Sequence, residues 1–402
     1  MTTAATPRYD IAVVGAGIVG LATARALSAR RPGARLAVLD KETTVGAHQT
    51  AHSSGVVHRG VYYAPGSLKA RLCVDGAASL LAYCDDRAIG VRRCGKVVVA
   101  TTPEELAPLE ELYRRALANG VPGAELIGPE RLRELEPHVA GLRALHSPET
   151  AVVDFTQVAR AIARDLRDAG ADVLLGHEVV GLRRRRGVTE VVTTRGVVEA
   201  RHVVVCAGVH ADRLAALSGA PAEPRIVPFR GGYLRLRPER RHLVRGLVYP
   251  VPDPAFPFLG VHTTVRPDGE VWLGPNAVLA LSREGYRRRD VSLRDVRDAL
   301  GAPGFRHLAR RHWRTGAAEL VRDVSTRLFV SAARRLLPEL TVADVLPGPA
   351  GIRAQALTAD GALLDDFAFD DVDGITHVRN APSPGATSSL AIADVIADRL
   401  GD

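Results

Sequence analysis

Short apolar runs alternate with amphipathic stretches along the chain, and their order predicts the architecture. Residues 10–14 form an apolar run cut off by Gly15, Gly17 and Gly20. A helical pattern follows from Ile18 to Arg30, and a second apolar run, 35–39, closes on Asp40. Strand, tight turn, helix and strand in that order make a βαβ unit. Residues 102–120 place Leu106, Leu109, Leu112 and Ala116 on one helical face. A further helix is predicted over 155–169, leading through Gly170 into a strand at 172–175. Residues 188–194 and 197–198 alternate around Arg195 and Gly196, as in a hairpin. Residues 203–206 (VVVC) read as a buried strand closed by Ala207 and Gly208. Strand-like stretches interrupted by prolines fill 225–275, which predicts a sheet with irregular edges. Charged helices are predicted over 291–314 and 326–337, and a last helix from near Thr387 to Leu400.

Strands of nucleotide-binding character thus fall at 10–40, 172–208 and 375–380. We expect one dinucleotide domain assembled from 1–85, 148–215 and 345–402, with 86–147 and 216–344 forming a second, inserted domain. A chain of 402 residues has length for two or three domains.

With 46% hydrophobic residues, 53 basic and 45 acidic ones, global disorder is excluded. The four cysteines show no CxxC spacing, so they read as buried or incidental thiols in a reducing compartment. Aromatic residues are 4%, which argues against a base-stacking platform, and no nucleic-acid partner is expected. Only Lys41, Lys69 and Lys96 are lysines, so the net charge of +8 is carried by arginine. Arginine-biased coding explains this, and so does attraction of anionic substrates or a membrane surface. The run 183–186 (RRRR) is expected as a solvated turn. No 18-residue apolar run occurs, and MTTAATPRYD does not read as a signal peptide. The expected location is cytoplasmic, with peripheral contact at the inner face of the membrane left open.

Gly15-Ala16-Gly17-Ile18-Val19-Gly20 is GxGxxG after a strand and at a helix start, with Asp40 ending the next strand. Gly15 permits the tight turn, Gly17 lets a pyrophosphate approach the backbone, and Gly20 lets helix and strand pack closely. The helix N-terminus offers free N–H groups to phosphate, and Asp40 can accept from ribose hydroxyls. Two features favour FAD over NAD. Small residues at Ala207 and Gly208 end a second strand, and 384–389 (PGATSS) opens an apolar helix. Such a helix start suits the flavin edge that gains negative charge on reduction. An ordinary N-cap explains the second feature equally well.

The chain resembles the L-2-hydroxyglutarate oxidase/dehydrogenase family, within the FAD-dependent D-amino-acid oxidase and glycine oxidase superfamily. The matching segments are 48–73, 152–157, 227–233, 248–262, 273–280, 351–355 and 380–393. The resemblance implies an α/β fold: a Rossmann-like, glutathione-reductase-type FAD-binding domain with an inserted mixed-sheet substrate domain. It implies non-covalent FAD, oxidation of a small anionic substrate, a 2-hydroxy dicarboxylate and L-2-hydroxyglutarate above others, to the 2-oxo acid, and electron delivery to oxygen or a membrane quinone. It further implies cofactor contacts from Ile18, Val19, Lys41, His48, Ser53, Ser54 and Val179. Gly351, Gly385, Ala386, Thr387 and Ser388 complete that set. The family usually carries Asn at Ser53, Glu at Gly232, Pro at Ala354 and Glu at Asp40. The first three departures bear on the substrate rather than on the chemistry.

Hydroxy-acid oxidation needs a base for the hydroxyl proton, a Cα–H presented for hydride transfer, and a clamp on the carboxylate. Arg353, in the GIR segment, is the expected clamp, since its planar fork matches a carboxylate. His58 is the leading candidate base and His262 the second. Tyr249 and Tyr62 are candidate donors, and Arg59 or Arg230 could receive a second carboxylate. His48 and His52 form HxxxH with Gln49 in place of the glutamate a zinc protease needs, so no metal is expected. No P-loop and no GxSxG occurs. The alternative enzyme is an amine oxidase of the glycine or sarcosine oxidase kind, which would share Arg353 but need no hydroxyl base.

Overall fold

A computed structural model describes residues 6–253 and 259–401. Residues 254–258, inside the motif 248–262, lie outside the described residues, as do 1–5 of the N-terminal segment.

The predicted βαβ unit is strand Arg8–Val14, helix Ile18–Arg30 and strand Leu36–Asp40. It sits at the centre of an eight-stranded sheet. Strands Asp172–Leu175, Leu36–Asp40, Arg8–Val14, Gly196–Val205 and Ile375–Asn380 run parallel in that order. Arg8–Val14 is buried on both faces, which is why its sequence is a run rather than an alternation. Ile11 and Val13 pack with residues of helices Ile18–Arg30, Leu68–Asp86, Phe155–Asp168 and Ser389–Arg399. Ala12 and Val14 pack on the opposite side with Leu182 and Val191 of the hairpin Val179–Arg185 and Val188–Thr193.

Glycine is required where these layers touch. A Cβ on Gly20 would stand 1.9 Å from the Gly15 carbonyl oxygen, and one on Gly15 would stand 2.3 Å from that of Cys206. Both neighbours are backbone and cannot rotate away. Gly20→Ala is therefore expected to cost about 1–3 kcal/mol or more of stability. Denaturant unfolding checks this, and a variant with the wild-type midpoint would show that the helix can step back freely.

The second sheet has nine strands and is mostly antiparallel. Its longest pair joins Arg225–Leu236 to Val345–Leu357, with Phe229 opposite Arg353 and Arg230 opposite Ile352. This corrects the expected boundary at 345, because 345–357 is hydrogen-bonded into the second sheet. A small sheet of Val56–Val57, Ala151–Val153 and Val91–Arg93 completes the strands.

Three further expectations need adjustment. Residues 183–185 end the strand Val179–Arg185, so only Arg186, at φ 46°, lies in the turn. The predicted helix 291–314 is broken between Leu293–Gly301 and Pro303–Val324, because Pro303 starts a new helix at its first position, and the second helix is kinked at His312 (φ −118°, ψ 23°). The last helix is Ser389–Arg399. All four cysteines are free, and no helix among the described residues is long and apolar enough to cross a membrane.

Candidate active site

One cavity of about 1360 Å³ is lined both by the glycine turn of the first sheet and by strands of the second. Gly15, Gly17, Ile18, Val19 and Gly20 form part of its wall. A Cβ on Gly17 would find only the Thr50 hydroxyl, at 3.6 Å, so the cradle is open at the helix start. Asp40 is fixed there by its own backbone. Its Oδ2 accepts from the Ala16 N–H at 2.6 Å and its Oδ1 from the Glu42 N–H at 2.9 Å. Each carboxylate oxygen retains a lone pair for a further donor. The Ile18 N–H donates to Thr50 Oγ1 at 3.0 Å, a cap supplied from 32 residues away. Sequence reading missed Thr50, because a cap this distant leaves no local signal.

Lys41 and His48 line the same end within a charged cluster. Lys41 Nζ lies 2.5 Å from Glu42, 2.9 Å from Glu284 and 3.2 Å from His48 Nε2. Glu42, His48 and Glu284 have the proximity of metal ligands, but the ammonium already stands among them. Burial alone would raise the Glu284 carboxyl, yet hydrogen bonds from His210 and Lys41 hold it at about 2. His52 stacks on Tyr286 at 3.6 Å between ring centroids, and His48 lies against the same ring at 6.2 Å. Ser53, Ser54, Val179, Ala207, Gly208 and Gly351 line the wall.

The turn before the last helix contributes Gly385, Ala386 and Thr387. Thr387 Oγ1 accepts from the His58 N–H at 3.1 Å and donates to the Val56 carbonyl at 3.2 Å, tying this turn to the segment bearing His58. Ser388 does not line the cavity. It is fully buried against Gly76, where a Cβ would come within 2.6 Å of Ser388 Cα. The glycine turn, the acid at the strand end and the small-residue turn at a helix start together fit a dinucleotide such as FAD.

At the other end the wall is made by His58, His262, Tyr62, Tyr249, Tyr233 and Arg353. His262 stacks on Tyr249 at 3.9 Å between ring centroids. Its Nδ1 lies 2.8 Å from the Gly260 carbonyl, so Nδ1 carries the hydrogen and Nε2 keeps its lone pair. Burial pushes both histidines down to about 3, and Lys96 adds to the shift in each. Both imidazoles are therefore neutral at pH 7. Lys96 is 2% exposed, its Nζ 4.5 Å from the Tyr62 ring centroid and 5.1 Å from that of Tyr249. Burial brings its own pKa down to about 8. Sequence reading did not select Lys96, although a lysine opening the all-apolar strand Lys96–Ala100 was a usable signal.

Two candidates for a second carboxylate are corrected. Arg230 is the neighbour of Phe229, the residue opposite Arg353, so strand alternation turns it to the other face of the sheet. There its Nη2 binds Asp323 at 2.5 and 2.7 Å. Arg59 donates to the Glu149 carbonyl at 2.9 Å and lies outside the cavity lining. Of the departing positions, Ser53 and Ala354 line the cavity, but Gly232 does not. A Cβ on Gly232 would face Arg230, Asn276 and Asp323 at 3.3–3.5 Å.

The family model described as FAD dependent oxidoreductase matches residues 10–399. The L-2-hydroxyglutarate dehydrogenase of Nematostella vectensis is 48% identical, over 98% of this chain and 91% of its own. That of Homo sapiens is also 48% identical, over 99% of this chain and 89% of its own. Both are named as mitochondrial, which overturns the expectation of a cytoplasmic location. Among solved structures, the FAD-bound L-alpha-glycerophosphate oxidase of Mycoplasma pneumoniae has a TM-score of 0.80 at 20% identity. It covers 98% of this chain and 94% of its own. Glycine oxidase from Geobacillus kaustophilus reaches 0.73 at 22% identity, covering 98% and 95%. These two show the fold.

Proposed function

Because the chain belongs to the FAD dependent oxidoreductase family, we propose that it oxidises a 2-hydroxy acid, L-2-hydroxyglutarate above others, to the 2-oxo acid. FAD is its cofactor, and when bound it supplies the acceptor for the hydride that leaves Cα. The first layer holds this dinucleotide and the second sheet floors the substrate pocket. Oxygen or a membrane quinone is the electron acceptor.

The observation that carries the reading is the meeting of two neutral imidazoles with a guanidinium on one cavity wall. Arg353 takes the substrate carboxylate and so fixes the direction of the Cα–H bond. One imidazole then takes the hydroxyl proton as the C=O bond forms, His58 being the leading candidate and His262 the second. Tyr249 and Tyr62 stand beside the same space as hydroxyl donors. Lys96, behind both rings, adds positive potential that suits a dicarboxylate. Proton uptake is coupled to substrate binding. An imidazolium facing Lys96 and Arg353 is disfavoured until an anion arrives to offset them.

The test is product analysis with a soluble dye as acceptor. L-2-Hydroxyglutarate is expected to yield 2-oxoglutarate by mass spectrometry, whereas glycine and sarcosine are expected to yield nothing. Turnover of the amines alone would assign the alternative.

A further inference from the structure

Neither Arg59 nor Arg230 is placed to receive the second carboxylate of a dicarboxylate, so that group needs another partner. Other cations of the cavity wall are already matched by acids. Lys69 pairs with Asp365 at 2.7 Å, and Arg114 and Arg115 share Glu111 at 2.6 and 2.9 Å. Lys96 differs from them. The strand Lys96–Ala100 is buried throughout, and alternation puts Lys96 on the face of Val98 and Ala100. Those two pack in one cluster with Val56, Tyr62 and Tyr249, whereas Val97 and Val99 pack in another. Lysine therefore stands where a core position calls for an apolar side chain.

A buried ammonium without a counter-charge is costly. Among the described residues only the Cys73 thiol favours the charge on Lys96, and burial holds that thiol neutral, at about 12. Tyr62 and Tyr249 offer their ring faces, which eases desolvation but leaves the charge uncompensated. The Tyr62 hydroxyl is the second unmatched group. It is buried with no hydrogen-bond partner among the described residues. Burial holds its pKa well above the usual phenol value, so it remains a donor, and Tyr62 lines the cavity. Arg353 and Lys96 both work against a charge on His262, so the two cations serve one pocket.

We propose that Tyr62 and Lys96 select for a second carboxylate on the substrate: the Tyr62 hydroxyl donates to it, and Lys96, on the face of that ring, supplies the opposing charge. Lys96 is thus a positioning residue that acts through Tyr62. An ammonium over the ring draws density from the phenol and strengthens its O–H donation to an anion. A methyl group in place of the carboxylate would leave the hydroxyl unbonded and the ammonium uncompensated. The pocket therefore rejects monocarboxylates as well as attracting dicarboxylates. The inference deepens the proposed oxidation of a 2-hydroxy acid and rests on it.

With the flavin-loaded full chain and a soluble dye, kcat/KM is measured for L-2-hydroxyglutarate and for L-2-hydroxyvalerate, which carries a methyl group in place of the far carboxylate. Wild-type protein is expected to prefer the dicarboxylate. Lys96→Met and Tyr62→Phe are each expected to reduce that preference by roughly 10–100-fold. The ratio separates selection from a structural role or a change at the imidazoles, since either of those slows both acids alike. Tyr62→Phe keeps the test decisive if Lys96→Met fails to fold. An equal loss for both acids, or an undiminished preference in a folded variant, overturns the inference alone. Wild-type protein that oxidises neither acid overturns the reading it rests on as well.

Discussion

Arg353→Met is expected to lower kcat/KM for L-2-hydroxyglutarate by roughly 10²–10⁴-fold while leaving FAD bound. Removing one partner of a buried charge pair costs about 3–5 kcal/mol, and each 1.36 kcal/mol is about tenfold in rate. Arg353 lies deep in the cavity, where burial works against its charge while Tyr233, Glu319 and Tyr249 favour it. Its strand partner is Phe229, so the guanidinium stands on a hydrogen-bonded ladder rather than a loop. A bound carboxylate there would be held by two parallel N–H donors. Arg353→Lys is expected to recover only part of the loss, since an ammonium cannot reproduce the fork. Flavin absorbance of the purified variant separates a lost clamp from a lost cofactor. Activity within tenfold of wild type, with flavin retained, would remove Arg353 from the proposed mechanism.

His58→Asn and His262→Asn are the second pair of large effects. The variant that loses the base is expected to drop in kcat by about 10²–10⁴-fold, and the other by much less, so the two together assign the role. The pH dependence has a definite sign. Both imidazoles are depressed to about 3 in the free protein, so the acid limb of kcat/KM should lie well below pH 6.5. A bound dicarboxylate offsets Lys96 and Arg353, which raises the imidazole pKa, so the acid limb of kcat should lie higher. Stability follows the same groups. Their folded pKa lies below the unfolded value, so the contribution is complete above about pH 6.5 and is lost as pH falls towards 3. An acid limb of kcat/KM at or above 6.5 would contradict the burial argument.

The dinucleotide half was legible because its signals are local. A strand buried on both faces reads as an apolar run, and Gly15, Gly17, Gly20 and Asp40 lie within 26 residues of one another. The second sheet was not legible in the same way. Val345–Leu357 pairs with a strand more than a hundred residues earlier, and nothing in its own sequence names that partner. Whether Arg230 could share the cavity with Arg353 and take a second carboxylate depended on register, which alternation converts into opposite faces. Thr50 caps a helix from 32 residues away, and Ser388 is hidden by Gly76, 312 positions before it in the chain. In the helix after Pro303 the buried side chains are the acids Glu319 and Asp323, so its apolar positions do not report the core. Lys96 was visible and overlooked, a charge at the head of a buried strand.

The most direct measurement is an anaerobic titration of the flavin-loaded protein with L-2-hydroxyglutarate, followed by the flavin absorbance. Stoichiometric bleaching by the L-acid, with none by glycine or sarcosine, is the predicted result. An unchanged yellow spectrum with the L-acid, together with bleaching by an amine, would contradict it.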